Sequence, residues 1–453
     1  MIKFKLFFIL ILFIIIPVNA QQKSEPQHVF TLDECLKIAD RNNPDIKLSV
    51  ARISPAAAEI TNAYGEYLPS LSMNLGYTRT FKNQQTADLP DSLIRPNQFT
   101  SIKPNYYTFN AGFQYVFFNG FRRSNQFSKA QLNYNSLYDN SMFTRQRVQM
   151  DIYRAYVQVI LNKQIQKIRQ ENYELGKLEL DRVKARYEAG LTSVNFVYSQ
   201  EAELGNRELD IVKAENDYKI AKSQLLILMG LNPEMEADFS EASLPNDIDT
   251  TEIATFARKI GTFENAVKIA IENRKDIQSI QKQIEAAKKQ IKISQSTYWP
   301  TLSASGGWSW SNYFIEDFSK LGFASIGLNL SIPVFENFRT NLNIENAKLQ
   351  LYSREIDLYN IEQTIRQNLR TAILNLQAAE KQLEITNRSL ISAQKNYDFS
   401  KERYRVGTAN VSDFFIANNL LVTTQINRIN AIYSYFVAKK EVLFALGLLN
   451  NKK

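Results

Sequence analysis

The chain has 453 residues, a formal net charge of +8, one histidine and one cysteine. These counts exclude histidine triads, histidine-based metal sites and a disulfide bond within the chain. Basic and acidic residues are interspersed, so no basic patch indicates a nucleic-acid partner. No motif singles out a catalytic carboxylate, and a total of only 15 glycines argues against a glycine-rich nucleotide site. We therefore expect no enzymatic activity, no cofactor and no metal centre.

The first 20 residues predict a signal peptide. Lys3 and Lys5 precede an apolar run from Leu6 to Val18, and Ala20 precedes a polar segment. Such a run is too short to span a bilayer, and the residues at positions 18 and 20 suit signal peptidase. We expect an exported protein without membrane-spanning helices; an uncleaved anchor is the alternative.

The chain consists of two similar halves. Residues 67–71 return in similar form at 298–302, an offset of 231, and Phe121-Arg122 returns as Phe338-Arg339 at an offset of 217. Solenoid periods are about 20–50 residues, so this longer period indicates a duplicated half-domain. We predict a first repeat at 21–230, an acidic surface linker at 231–261 partway along the molecule, and a second repeat at 262–453.

Each half begins with helical signals, most plainly in the first. Thr31 and Glu34 have the spacing of a capping box, which predicts a helix start. Pro44 interrupts that helix, and a second helical stretch continues to about Glu66 before Pro69 ends it.

The period then changes to two. After Pro69, Leu71, Met73 and Leu75 alternate with small polar residues. The same alternation predicts four strands in the chain, at 71–81, 107–117, 302–311 and 326–334. Strands of about 9–11 residues with one apolar face are typical of a transmembrane β-barrel. A soluble sandwich is the alternative, since one face of its strands also packs inward.

Four strands cannot close a barrel around a water channel. Lipid tolerates no open sheet edge, because unpaired backbone groups there cost several kcal/mol each. The barrel must therefore be shared between chains, and three copies would supply 12 strands.

A long helix follows each strand pair. Residues 121–189 would form a helix of roughly 100 Å. A seven-residue repeat, seen in Leu369, Leu376 and Leu383, predicts coiled-coil packing. Gly190 and Gly407 each end a long helix and lead into a returning one, so each half ends in a helical hairpin with a glycine at its tip.

Short motifs in duplicated order resemble the TolC family of outer-membrane efflux proteins. They are Asn43-Pro44-Asp45-Ile46, Leu68-Pro69-Ser70-Leu71, Arg186-Tyr187-X-X-Gly190-Leu191, Trp299-Pro300-Thr301-Leu302, Ile332-Pro333-Val334-Phe335 and Arg403-Tyr404-X-X-Gly407-Thr408. The resemblance covers essentially the whole mature chain. It implies an α+β membrane protein: a homotrimer whose 12-stranded barrel lies in the outer membrane of a Gram-negative bacterium and continues into a periplasmic α-helical barrel.

The resemblance also implies partners and sites. A periplasmic adaptor would contact the hairpin tips, which here are Gly190, Leu191, Gly407, Thr408 and Ala409, and an inner-membrane transporter would supply the energy. The family's periplasmic gate has two carboxylates after the second tip glycine. Asp413 matches the first of these, and Ile416 stands at the second position.

The family's ionic lock is incomplete in this chain. Tyr404 matches its tyrosine, whereas Ala409 stands in place of its arginine and Phe196 in place of its aspartate. Closure must therefore rest on other contacts.

The leading hypothesis is a passive exit duct for small molecules in a tripartite efflux pump. Its alternative within the same class is the exit duct of a type I protein secretion system. A hypothesis from a different class is a structural coiled-coil protein of the outer membrane. Duplicated strand pairs and hairpins ended by glycine argue against the last, because a stalk needs neither.

Overall fold

The computed structural model describes residues 29–81, 104–244 and 261–449. The predicted signal peptide at 1–20 and the second part of the predicted linker lie outside the described residues. In the first half the elements are β1 (Val29–Phe30), α1 (Leu32–Asn42), α2 (Pro44–Ala51), α3 (Ile53–Gly65), β2 (Ser70–Arg79), β3 (Asn105–Asn119), α4 (Arg122–Glu188), α5 (Val194–Leu228) and β4 (Asp238–Phe239). In the second half they are α6 (Phe263–Asn273), α7 (Lys275–Gln295), β5 (Thr301–Asn312), β6 (Phe323–Ser331), α8 (Arg339–Arg405) and α9 (Val411–Ala445).

Local sequence signals explain the helix boundaries. The capping box predicted at Thr31 is present: its hydroxyl accepts from the amide of Glu34, and the Glu34 carboxylate accepts from the amide of Thr31. Pro44 occupies the first position of α2, where its missing amide costs nothing. The two long helices, α4 and α8, are both 67 residues, which is roughly 100 Å at 1.5 Å per residue.

Four strands form one antiparallel sheet in the order β2-β3-β5-β6. The register aligns apolar side chains across neighbouring strands, as in the row formed by Leu75, Phe109 and Trp310. The opposite face carries serine, threonine, asparagine and glycine. Apolar side chains at both margins are open to the surroundings, with Leu71 80% and Ile326 81% exposed. One face of the sheet is therefore apolar, and no described residue covers the margins of that face.

The end of the last strand differs from the sequence prediction. The extension of the last strand to residue 334 was wrong, because β6 ends at Ser331 and Pro333 has no amide for a further ladder bond. Trp310 of β5 is buried, and its indole nitrogen donates to the carbonyls of Asp317 and Lys320, both at 3.0 Å. The loop between β5 and β6 folds over it, and the ring of Phe318 packs edge-on against Trp310.

The helices form two antiparallel hairpins, α4 with α5 and α8 with α9. The predicted seven-residue seam is buried where Leu369, Leu376 and Leu383 lie along α8. Alanines such as Ala417 and Ala438 line the facing stripe of α9 and allow the helices to approach closely. No helix among the described residues is both long and apolar enough to cross a bilayer.

A belt packs against the hairpins partway along their length. We define the belt as residues 29–43 together with 231–244. Its core contains Cys35 and Phe239, which pack with Tyr156 of α4. The prediction of a surface linker was wrong at Phe239, because its ring is fully buried between Phe30 and Tyr156. An ion pair of 2.7 Å between Lys163 and Asp238 lies beside this core.

The buried hydroxyl of Tyr156 ties the belt to α4, because it donates to the carbonyl of half-buried Ser240 at 2.7 Å. Tyr156→Phe should lower the free energy of unfolding by about 1 kcal/mol, since it removes a partly buried hydrogen bond. Tyr352→Phe, at an exposed tyrosine of α8, should change it by less than about 0.5 kcal/mol. Thermal unfolding of the purified variants measures both; equal effects would contradict this role for Tyr156.

Candidate functional site at the hairpin tips

Each tip is closed by the same backbone motif. At the first tip the amide of Gly190 donates to the carbonyl of Tyr187 at 2.9 Å, and that of Leu191 to Arg186 at 2.8 Å. This pair of bonds is a Schellman motif, which requires a left-handed residue after the helix end. Gly190 supplies it with a φ of 70°.

The second tip repeats this geometry. Gly407 has a φ of 78°, and the amide of Thr408 donates to the carbonyl of Arg403 at 2.9 Å. The guanidinium of Arg403 donates in return to the carbonyl of Thr408 at 3.1 Å. The returning helices start with side-chain caps, from Ser193 for α5 and Asn410 for α9.

The tips are open surfaces. Nothing lies within 4 Å of a β-carbon built at either Gly190 or Gly407. Leu191 is 70% exposed, Thr408 is exposed and Ala409 is half-buried. The five residues predicted as tips therefore lie at two turns that a second protein can reach without moving any side chain of this chain.

Asp413 and Ile416 lie on one exposed face of α9 near the tip. Asp413 is in the first turn of α9 and exposed, and Ile416 is 69% exposed. The buried face of the same helix carries Phe414 and Ala417. Within one chain, the two predicted gate residues thus point away from the hairpin core.

The exposed face continues along α9 as a stripe with a seven-residue period. Its exposed members are Asp413, Leu420, Asn427 and Ser434.

Glu441 continues the seven-residue spacing but is half-buried, and its carboxylate accepts from Arg154 of α4 at 2.9 Å. Arg154 lies two residues before Tyr156 and so on nearly the opposite side of α4. At this level α9 therefore contacts α4 on the side away from Tyr156.

Tyr404 is placed differently from the other predicted gate residues. Its ring is buried and stacks on Phe414 at 5.5 Å between centroids. Burial raises the pKa of Tyr404, the charge of Glu179 raises it further, and Arg186 opposes both. The phenol is therefore neutral at physiological pH, and it supports the helix that carries Asp413.

The incomplete lock predicted from the sequence has a structural counterpart. Phe196 packs against the small apolar cluster of Leu180, Val183 and Val197 inside the first hairpin. Phe196 has no charge and cannot form the ion pair of the family's lock.

Sequence reasoning missed a polar cluster that joins the two hairpins above the tips. The amide of Asn418 donates to the side-chain carbonyl of Asn172 at 2.7 Å in a buried position. Arg207 is buried beside it and donates to the backbone carbonyl of Asn172 at 3.0 Å. The signal in the sequence is a difference between the halves: the first has Arg207, whereas the matching position 217 residues later has Thr424.

No group of three side chains suited to a metal ion occurs within residues 29–81, 104–244 and 261–449.

The tip glycines have open space around them, whereas Gly230 at the other end of the first hairpin is enclosed. Gly190→Ala and Gly407→Ala should each destabilise by about 1–2 kcal/mol, the cost of a left-handed conformation with a β-carbon. Gly230→Ala should cost more, because its β-carbon would lie 2.5 Å from the carbonyl oxygen of Asn42. Thermal unfolding tests this order; a Gly230 variant as stable as the tip variants would overturn it.

Comparisons with known proteins agree with this geometry. The model of a family described as outer membrane efflux protein matches residues 35–231 and 266–448. The chain is 24% identical to the outer membrane protein TolC of Salmonella enteritidis over 310 residues, which are 66% of this chain and 60% of that protein. It is 21% identical to TolC of Vibrio cholerae over 430 residues, 93% of this chain and 91% of that protein.

A solved structure has the same fold. The Campylobacter jejuni CmeC outer membrane channel superposes with a TM-score of 0.76 at 18% identity, covering 92% of this chain and 86% of that chain. The family match includes both strand pairs, both hairpins and both tips. The chain therefore belongs to the outer membrane efflux protein family.

Proposed function

We propose that this chain forms, as a homotrimer, the outer-membrane duct of a tripartite efflux pump through which small molecules leave the cell passively. One observation carries the proposal: a four-stranded sheet with an exposed apolar face lies at the end of helices roughly 100 Å long. Lipid is the surrounding that makes such a face favourable, and the helices extend the passage into the periplasm.

The sheet edges support a trimer. β2 and β6 each have one neighbouring strand among the described residues, and the two lie at opposite margins of the sheet. In lipid an unpaired strand edge costs several kcal/mol for each backbone group. Pairing β6 of one copy with β2 of the next removes every edge, and three copies give a barrel of 12 strands.

The stripe on α9 supports a conduit along the trimer axis. Asn427 and Ser434 are exposed in the single chain, and we place them along the inner wall of a trimer that has the belt on its outside. Polar side chains on that wall keep the passage wet. The two halves of each chain, which share one order of elements, would act as structural repeats around the ring.

The tips supply the contact with the periplasmic adaptor in this proposal, and an inner-membrane transporter drives the export. Gly190, Leu191, Gly407, Thr408 and Ala409 are the residues that we assign to that contact. Their accessibility and their rigid Schellman geometry favour docking, because a preformed turn loses little conformational entropy when it binds.

The same assembly gives the gate. Three copies of Asp413 would surround the axis near the entrance, with three copies of Ile416 about one turn above. Tyr404 would hold the start of α9 in place from behind, through its stack on Phe414. The entrance would then combine one acidic ring with one apolar ring.

The assembly makes a direct prediction. The mature protein, purified in mild detergent, should have the mass of a trimer, because edge pairing is what allows the sheet to remain in lipid or detergent. Native mass spectrometry or light scattering gives the result. A monomer or a dimer with intact strands would contradict the proposal.

The acidic ring makes a second prediction. Asp413→Ala should weaken the cation selectivity of single channels in a planar bilayer and abolish block by divalent or trivalent cations, since three close carboxylates attract cations. Asp210→Ala is a matched control, because its carboxylate pairs with Arg169 on the first hairpin. Selectivity and block that are identical in wild type and Asp413→Ala would refute the assignment of Asp413 to the gate.

A further inference from the structure

The two hairpins meet in different ways at the belt and near the tips. At the belt the contact is mainly apolar: Leu383 and Ile432 of the second hairpin belong to the same buried cluster as Ile152 of the first. The ion pair of Arg154 with Glu441 lies beside this cluster and is partly exposed. Toward the tips the contacts between hairpins are polar or charged. We call the polar contact region between the two hairpins the polar seam. The hairpins separate most easily there, because water can replace polar contacts at little cost.

Arg207 of α5 is the centre of the polar seam. Its side chain is only 3% exposed, which is unusual for an arginine in a helical hairpin. One terminal nitrogen donates to the carbonyl of Asn172 at 3.0 Å, and Nε donates to the carboxylate of Glu203 at 3.3 Å. The guanidinium also lies over the ring of Phe415 of α9, 5.7 Å from its centroid.

The first hairpin has a space built for this side chain. Gly176 of α4 faces Arg207, and a β-carbon there would lie 3.1 Å from both Cδ and Nη1 of the arginine. In the second half the corresponding positions hold Ala393 and Thr424. Pairing of the helices within a hairpin therefore does not need an arginine at this position.

Two further contacts complete the seam from the side of α9. Asn418 donates to the side chain of Asn172 at 2.7 Å, and Asn419 donates to the carboxylate of Glu203 at 3.3 Å. Together with Phe415, these residues fill the two turns of α9 that also carry Asp413 and Ile416. Anything that holds them against the first hairpin also sets the position of the proposed gate residues.

We propose that Arg207 is a positioning residue for the entrance: it holds α9 against the first hairpin through Phe415, Asn172 and Glu203 and thereby sets the width of the constriction. We call this set, with Asn418 and Asn419, the Arg207 clamp. The inference rests on the proposed function and adds to it the contact that keeps the entrance narrow in a chain whose Phe196 and Ala409 cannot form an ion pair.

Single-channel conductance of the full trimer in a planar bilayer tests this role. Arg207→Met keeps the length of the side chain and removes its charge and donors. We expect its conductance to rise several-fold while the preference for cations stays, because Asp413 remains in place. Phe415→Leu, which removes the aromatic partner from the other hairpin, should act in the same direction and covers the case in which the arginine variant does not fold.

Arg169→Met is the matched control. Arg169 also joins α4 to α5, through an ion pair of 2.8 Å with Asp210, and this pair lies within the first hairpin. Its conductance should equal that of the wild type. A merely structural role for Arg207 would lower stability without widening the channel, so trimer mass and thermal unfolding are measured on every variant.

A reversible cross-link gives the complementary test. Asn172→Cys/Asn418→Cys should conduct more than wild type when reduced and return to the wild-type level after bridging with a reducible bifunctional thiol reagent. The native Cys35 should not compete for the reagent. Burial raises the pKa of its thiol to about 12, and a thiol that stays protonated reacts slowly.

The outcomes separate the two proposals. Unchanged conductance in both Arg207→Met and Phe415→Leu, with trimers intact, would overturn the clamp and leave the duct standing. A cross-link that does not lower the conductance of the cysteine pair would also overturn it. Wild-type trimers that form no channels would instead remove the proposed function.

Discussion

The constraint on which this structure depends is that a helix of 67 residues buries only one stripe of its surface. Helices of such length have no wide core to enter, so stability must come from pairing along the stripe. The seven-residue step of Leu369, Leu376 and Leu383 keeps the stripe facing a single partner. Every other feature follows from that geometry: the return at a glycine, the alanines of α9, and the belt that encloses the hairpins at one level.

In both halves a side chain donates a hydrogen bond to a carbonyl at the end of the returning helix, but the type of side chain differs. In the first half the side chain of Asn43 donates to the carbonyl of Leu228 at 2.8 Å. In the second half Arg274 reaches the equivalent carbonyl, that of Ala445, at 3.5 Å, while pairing with Asp276. A helix end leaves unpaired carbonyls, and both side chains satisfy one of them. Both halves therefore have a hydrogen-bond donor at this helix end, and the residue that supplies it differs between them.

The strength of the contact between hairpins changes along the molecule, and this gradient links structure to transport. Apolar contacts at the belt are costly to expose to water, whereas the seam around Arg207 exchanges its hydrogen bonds for hydrogen bonds to water. Separating the hairpins would therefore cost most at the belt and least near the tips. The proposed exit duct, closed between transport events, would use that difference.

Much of the fold was predictable because its signals are local. Alternation after Pro69, the capping box at Thr31 and the glycines at 190 and 407 each depend on residues a few positions apart. The two hairpins and the four strands followed from these signals, and the comparisons confirmed the resemblance to the family. The assignment of Asp413 to a gate came instead from the resemblance to the family, and it stays a prediction.

What the sequence by itself determined about this protein is therefore its elements, their order and the residues at the tips. Only the tertiary structure decided that Phe239 is buried in the belt, that Phe318 covers Trp310, that Tyr404 faces inward and that Arg207 lies beneath Phe415. These four outcomes share one physical reason. Each depends on a partner that only the folded backbone brings close: one from a distant segment for Phe239 and Arg207, and one across a loop or turn for Trp310 and Tyr404. The residues that directly flank these side chains in sequence do not indicate that partner.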